Sequence, residues 1–268
     1  ETETEGTYFA GIDVEGKVVA VLAKEISVNS EREAIKAQAV IARTNLIGAR
    51  LTGEEEPEGL TTDQMMKQFG EDRFKRCYEK LADCVEETKG LVLTCRNKII
   101  EAPYFSVSNG YTRSAGEAFA GEEIEYLKGV EAKEDILSEN FLRVEFLEVS
   151  EFVEKCNQNY PNAALTAENI AEQVEVISRD DGEFVKELRI GGVTVNGEEF
   201  RKAMDFHSAC FSIKEVEGKI RVVTEGYGHC VGLSQYGANV LAGEGKTYEE
   251  ILKKYYTNIK ITEYKNAE

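Results

Sequence analysis

The sequence predicts an α+β protein, helical in its first half and β-rich in its second. Two observations carry this. Apolar residues recur at helical spacing up to about residue 88, and from Val174 short alternating runs take over, parted by glycine-bearing turns. A third feature marks where function concentrates. The run Gly226–Asn239 holds glycines at 226, 228, 232 and 237 with His229, Ser234, Gln235 and two tyrosines. Glycine at that density makes poor helix and poor strand, and it suits a loop where backbone closely approaches something else. The plainer alternative is a crossover whose glycines only let two elements pack.

In chain order, Val18–Leu22 is a short apolar run that opens a helix or forms a strand. Ser30-Glu-Arg-Glu33 reads as a capping box. The helix that follows has an apolar stripe at Ile35, Ala39, Ala42 and Leu46, with Lys36 and Arg43 on a neighbouring face. For an arbitrary helix those two cations would be a solvated basic edge. Residues 50–63 read as a loop or insertion. A second helix is predicted from about Thr62 to Thr88, broken near Gly70. Leu91–Leu93 and Asn97–Ala102 read as strands around a turn. Ser106–Thr112 is a polar loop able to cradle a ligand, or an ordinary Asn-Gly turn. Residues 117–150 mix loop and helix, and Leu165–Val174 resembles a helix start. The β runs are Val174–Ile177, Phe184–Ile190, Val193–Val195 and Ile220–Thr224, with hairpin signals at Asp181-Gly, Gly191-Gly and Asn196-Gly. Glu198–Met204 is a short helix among them, Lys246–Tyr256 a late helix and Ile259–Glu263 a final strand.

At 268 residues, 42% hydrophobic and 31% charged, the composition is globular. Fifty acidic residues against 32 Lys and Arg give a net charge of −18, which excludes a basic nucleic-acid footprint. No stretch approaches the 18 apolar residues of a membrane span. The chain begins Glu-Thr-Glu-Thr without methionine and reads as a trimmed product, so an upstream anchor or signal is an open expectation. The six cysteines show no CxxC pair, against a disulfide framework or a zinc ribbon. Cys77 and Cys84 stand roughly 10 Å apart along a helix axis, too far for a disulfide.

Few residues offer chemistry. There is no P-loop, no GxGxxG opening a helix, no HExxH and no GxSxG. With only His207 and His229, a Ser-His-acid triad would need one of them, for instance Ser234 with His229. His207 with Cys210 and His229 with Cys230 make a weak Cys2His2 zinc candidate, against which stand two satisfied histidines and two buried thiols. Glu25 is a single carboxylate after an apolar run and before the helix carrying Lys36 and Arg43. A lone acid in an apolar setting can give a proton to a leaving oxygen and take one back.

Three ordered segments together resemble the stage II sporulation protein D (SpoIID) family of peptidoglycan lytic transglycosylases. They are Val18–Glu25 with Glu33–Thr44, then Glu87–Thr94 running into Ser106–Thr112, and Gly226–Asn239 continuing through Tyr248–Thr257. The resemblance covers nearly the whole chain and is weakest from about 117 to 165. It implies one SpoIID-type catalytic domain over residues 1–268, with lobes about 1–115 and 116–268 around a substrate groove. It also implies cleavage of the MurNAc–GlcNAc bond without water, leaving a 1,6-anhydro end on strands stripped of stem peptides. One Glu is acid and then base, and the sugar's own 6-hydroxyl is the nucleophile, so no second carboxylate is needed, unlike ordinary glycosidases. Glu25 matches the catalytic position. Lys36, Gln38 and Arg43 match the adjoining helix, Ser106, Ser108, Gly110 and Thr112 the polar loop, and Ser208, His229, Ser234 and Gln235 groove positions. These are expected to serve glycan binding and site architecture.

The chain departs from the family at Phe105, where His is frequent, at Cys230, where Gly is, and at His207, where Arg is. Some members hold zinc through a His/Cys cluster after the Arg-Thr helix. Asn45–Arg76 has neither residue, so no metal and no cofactor are expected. The resemblance further implies engulfment during sporulation, with an N-terminal membrane helix that places the domain outside the mother-cell cytoplasm. Its implied partners are a SpoIIP-type amidase and a SpoIIM-type membrane protein. Strong acidity gives no attraction to anionic wall polymer, so recruitment by partners is expected. The alternative is a catalytically idle wall-binding module of the amidase-modifier kind. A third reading, a hydrolytic muramidase, needs a carboxylate holding water.

Overall fold

A computed structural model describes residues 14–119 and 121–264. In chain order the elements are α1 (Val14–Glu25), α2 (Arg32–Thr52), α3 (Thr62–Phe69), α4 (Glu71–Glu87), β1 (Leu91–Cys95), β2 (Lys98–Ile99), β3 (Tyr104–Phe105), α5 (Ala115–Phe119), β4 (Leu142–Glu148), α6 (Val149–Asn159), α7 (Ile170–Gln173), β5 (Val174–Arg179), β6 (Val185–Ile190), β7 (Val193–Asn196), α8 (Gly197–Met204), β8 (Phe211–Val216), β9 (Lys219–Glu225), β10 (Leu233–Ser234), α9 (Gln235–Gly243), α10 (Tyr248–Tyr255) and β11 (Lys260–Glu263). The fold is α+β. The described residues form two compact units, 14–103 with 238–264, and 104–237. The first boundary thus lies nearer Pro103 than the expected 115, and the C-terminal stretch rejoins the first unit.

In the first unit α1, α2, α3 and α4 enclose an apolar core of Val18, Val21, Leu22, Ile35, Ala39, Leu46, Met65, Leu81, Cys84 and their neighbours. The run at Val18–Leu22 is therefore helix: α1 buries nearly all of it against other helices, so the apolar face needs no strand partner. The stripe at Ile35, Ala39, Ala42 and Leu46 is fully or almost fully buried, as its spacing predicts. Thr61 caps α3 in a full capping box with Gln64, and Thr247 caps α10 in the same way with Glu250. The capping box expected at Ser30 is not formed. Glu31 occupies the N-cap without a side-chain bond, and Glu33 instead accepts the Tyr248 amide (2.8 Å) and a bond from Lys36 (2.7 Å). A tertiary partner has taken the carboxylate that the local motif would have used. The carboxylate meets the amino end of α10, where the helix dipole favours negative charge.

A polar knot on α2 ties this core to the sheet β11-β1-β2. Arg43, which on an arbitrary helix would be a solvated cation and which the resemblance assigns to glycan binding or site architecture, is fully buried. Its fork donates to Glu15 on α1 (Nε–Oε1 2.9 Å, Nη2–Oε2 2.5 Å), to the Leu91 carbonyl (3.1 Å) and to the Val85 carbonyl (3.2 Å). Glu15 also accepts the Gly90 amide (3.2 Å). The next residue, Thr44, accepts the Leu93 amide (2.9 Å), and Asn45 bonds both the amide and the carbonyl of Ala102 (2.8 and 3.0 Å). Three consecutive side chains thus set the path of residues 91–102.

The second unit holds the two-stranded parallel pair β10-β3 and two antiparallel sheets, β4-β9-β8 and β5-β6-β7. Phe152, Phe200, Phe206, Phe211, Leu188 and Ile220 anchor its main core. Gly191-Gly192 makes the β6–β7 turn, as expected. Asn196-Gly197 is not a hairpin: Asn196 caps α8 by accepting the Glu198 and Glu199 amides (2.8 and 3.2 Å). Strands β4 and β8 were not anticipated. In β4, Leu142, Val144 and Phe146 are exposed, so the apolar residues do not mark its buried side.

Removing one partner of a buried ion pair strands the other charge, at a cost of about 3–5 kcal/mol. Arg43→Met and Glu15→Gln should each lose stability on that scale in urea unfolding. Arg43→Lys should not rescue, since an ammonium cannot serve four acceptors in a planar fork. A midpoint for Arg43→Met unchanged from wild type would show that the knot contributes little.

Candidate functional site

Glu25 is the last residue of α1 and is half-buried. The helix end that presents it is fixed from several sides. Leu60 N–H donates to the Ala20 carbonyl (2.9 Å), and Gln68 Nε2 to the Ala23 carbonyl (2.8 Å). Beyond Glu25 the chain turns at once. Lys80 Nζ donates to the carbonyls of Val28 (2.8 Å) and Ser30 (2.7 Å), and the Asn239 side chain accepts the Glu31 amide (2.7 Å). The carboxylate therefore sits between two anchored stretches of backbone. Lys80 and Asn239 gave no sign of this in the sequence, because a surface lysine and a late asparagine look the same whether or not they bind a distant loop.

Lys36 lies one turn into α2, bonded to Glu33 and to Glu87 (2.5 Å), and Glu87 also binds Arg32. Burial alone would lower its pKa, but the hydrogen bonds that Lys36 donates to Glu33 and Glu87 outweigh it and hold the ammonium above its ordinary value. It is a committed cation. Gln38 and Arg43 are fully buried. Arg43 belongs to the knot described above.

In the second unit the polar loop and the glycine-rich run meet. β3 and β10 pair in parallel with Phe105 opposite Ser234, and Tyr236 N–H donates to the Ser106 carbonyl (3.0 Å). At their junction sits Asp135, fully buried and unforeseen. One carboxylate oxygen accepts the Ser108 amide (2.6 Å), and the other accepts the Ser234 hydroxyl (3.0 Å). Burial pushes the Asp135 carboxyl above the ordinary carboxylate range, against the pull of its Ser108 and Ser234 hydrogen bonds. Ser234 Oγ also accepts the Gly237 amide, and Ser108 Oγ the Gly110 amide (3.1 Å each). Thr112 Oγ1 accepts the Val130 amide (2.9 Å), and Ser208 donates to the Glu225 carbonyl (2.6 Å). Ser108, Thr112, Ser208 and Ser234 are thus buried and pin loops. Ser106, His229 and Gln235 are partly accessible. Asp135 lies in the Glu-rich stretch, where nothing in the sequence separates it from its acidic neighbours.

Arg113, also missed, follows that loop. It pairs with Asp180 in the interior (2.8 Å), lies over the Phe184 ring at 4.7 Å, and its amide donates to the Cys230 carbonyl (2.6 Å). Cys210 and Cys230 share an apolar cluster with Phe105, Phe184 and Ala209. Burial pushes the Cys210 thiol up to about 11 and Cys230 well above its usual value, which opposes the thiolate a metal needs. His207 engages Arg143 and stacks on Tyr227. Among the described residues no group of three or more His, Cys, Asp or Glu is placed to hold a metal ion. The triad considered in the sequence is not assembled either: the Ser234 hydroxyl is given to Asp135, and His229 Nδ1 accepts the Val231 amide (3.1 Å).

That acceptor role puts the His229 proton on Nε2 and makes the ring neutral. Burial, then the nearby Arg201, lower its pKa to about 4, while a hydrogen bond to the Tyr104 backbone works the other way. Phe105 and Phe119 lie at ring-centroid distances of 6.0 Å.

These features define an α+β protein with an anchored acid at a helix end in one unit and a carboxylate-pinned polar loop in the other. The model of the SpoIID family, stage II sporulation protein, matches residues 3–95. Stage II sporulation protein D of Bacillus subtilis is 34% identical, covering 94% of this chain and 75% of that protein. Its counterpart from Bacillus amyloliquefaciens is 35% identical over the same shares. An amidase enhancer of Bacillus subtilis is 28% identical, over 91% of this chain and 40% of its own length. The chain belongs to the stage II sporulation protein D family. Among the described residues, no helix is long and apolar enough to cross a membrane.

The histidines give a pH prediction. Folded pKa values below the unfolded 6.5 mean that the unfolded chain binds protons first. Their contribution is therefore complete above pH 6.5 and is lost as pH falls toward about 4 for His229. The loss there is about 3 kcal/mol at most. Denaturation at pH 7.0 and 5.0 should show it, and His229→Gln should flatten most of the slope. An unchanged slope would mean that His229 binds its proton equally in the folded and unfolded chains.

Proposed function

We propose that the chain is a peptidoglycan lytic transglycosylase acting in the cell wall during sporulation, with Glu25 as its single acid and base. The supporting observation is that Glu25 stands partly accessible on an anchored helix end, in a chain that belongs to the stage II sporulation protein D family. In the first step the Glu25 carboxylic acid protonates the oxygen between MurNAc C1 and GlcNAc C4, and that bond breaks. In the second the 6-hydroxyl of the same MurNAc bonds to C1 and gives its proton to the Glu25 carboxylate. The acid is restored, no water enters, and one carboxyl does both transfers.

The other site residues then divide by accessibility. Ser106, His229 and Gln235 are proposed to touch the glycan, with Lys36 supporting the helix that follows the acid. Gln38, Arg43, Ser108, Gly110, Thr112, Ser208 and Ser234 are proposed to keep helix and loops in place. The chain works beside an amidase and a membrane protein outside the mother-cell cytoplasm, held by an N-terminal helix.

Similarity to an amidase enhancer favours a second reading, a wall-binding module that modifies an amidase without catalysis. Mass spectrometry of stem-free glycan strands separates the two. Wild type should yield 1,6-anhydro ends, and Glu25→Gln should lower the rate by at least about a hundredfold, the scale of a general acid's contribution. Binding without products from either protein would favour the module. Products carrying an added water would favour a muramidase.

A further inference from the structure

Tyr227 is an exposed aromatic in an otherwise pinned segment. It is 43% exposed, and one face of its ring is covered by His207, parallel at 4.2 Å and 7°. The backbone leaves it little freedom. Tyr227 N–H donates to the Val107 carbonyl (2.6 Å), and its carbonyl accepts the amides of Ser106 and Val107 (3.2 Å each). Gly226 N–H donates to the Phe141 carbonyl (2.7 Å), and Gly228 N–H to the His207 carbonyl (2.8 Å). Both glycines have positive φ, +82° and +117°. A Cβ at 226 would lie 2.9 Å from the Val107 carbonyl oxygen, and one at 228 would lie 2.7 Å from the Phe105 Cβ. No other residue lets the chain press this closely against the polar loop on both sides of the tyrosine.

His207 is fixed in turn. Arg143 donates from Nη1 to His207 Nε2, and its Nη2 binds Glu145 Oε1 (2.6 Å). Nε2 therefore carries a lone pair and the imidazole is neutral, so Tyr227 rests on an uncharged plane. Leaving a large ring exposed costs apolar hydration, and fixing its backbone costs entropy. The main core has no need of it.

We propose that Tyr227, backed by His207, is a stacking platform for a pyranose ring of the glycan. A pyranose offers a face of C–H groups to the negative face of an aromatic ring, and hydroxyls on its rim to neighbouring polar groups. The polar groups tied to this segment are Ser106, whose amide donates to the Tyr227 carbonyl, and Glu145, which binds the Arg143 that holds His207. A nucleobase could stack as well, but a chain of net charge −18 disfavours the phosphates that accompany it. A ring already fixed in place loses little entropy on binding, so its contact area is available for affinity. The platform rests on the glycan reading above and adds to it a sugar contact that takes no part in the proton transfers.

The chain has no tryptophan, so Tyr227→Trp introduces a sole tryptophan at the platform, which excitation beyond the tyrosine absorption band reads selectively. In a Glu25→Gln background, which prevents turnover, stem-free peptidoglycan strands are titrated and followed by calorimetry and by this fluorescence. Emission should change saturably with the calorimetric midpoint. Tyr227→Ala should weaken binding about tenfold, the scale of one aromatic contact, and Tyr227→Phe should bind within about twofold of the parent. Should Tyr227→Ala fail to fold, the tryptophan signal decides. A flat signal at saturating glycan, or a folded Tyr227→Ala that binds like the parent, overturns the platform and leaves the glycan reading intact. No binding by the Glu25→Gln parent overturns both.

Discussion

A buried guanidinium organises the first unit. Arg43 cannot lose its charge, so once the core closes over it every donor direction needs an acceptor. Glu15 supplies a carboxylate from α1, and the carbonyls of Val85 and Leu91 come from the end of α4 and the start of β1. These acceptors fix where three other elements lie against α2. Thr44 and Asn45 extend the same demand to Leu93 and Ala102. The helix that ends at Glu25 is thereby located by a polar requirement as much as by its apolar stripe. Core packing alone tolerates small shifts, whereas a forked hydrogen-bond set does not.

The second unit solves a comparable problem with carboxylates. Its loops have little regular structure to satisfy their amides. Asp135 takes an amide from the polar loop and a hydroxyl from the glycine-rich run, and Asp180 takes Arg113 together with the Gly182 and Phe184 amides. Buried acids of this kind are costly unless fully bonded. Once bonded, they tie irregular backbone to fixed points in the interior. Accessible groups such as Ser106, His229 and Tyr227 can then be displayed on loops without the looseness that loops bring.

Much of the fold could be read in advance, for local reasons. The stripe of α2, the break at Gly70, the turn between β1 and β2, the Gly191-Gly192 turn and the closing helix and strand all follow from periodicity or turn chemistry. The misreadings were places where a local signal admitted a second outcome or a distant group took it over. Glu33 left the capping box for the Tyr248 amide, Asn196 capped a helix where a hairpin was expected, and β4 carried its apolar residues on the exposed side. Of the site, Glu25 and the two polar segments were legible through motif and resemblance. Asp135, Arg113, Lys80 and Tyr227 were not singled out, because their significance is a partner far away in sequence.

The sequence by itself determined the α+β class, the main helices, the family and the candidate acid. Periodicity, turn residues and long ordered motifs are written along the chain and need no third dimension. Only the tertiary structure decided which polar residues are buried and what they hold. The sequence assigns Arg43, Ser108 and Ser234 to glycan binding or site architecture without separating the two; in the fold Arg43 is a buried fork, and Ser108 and Ser234 are tied to Asp135. Burial and pairing depend on which distant segments are brought together, and one residue's neighbours along the chain do not specify that.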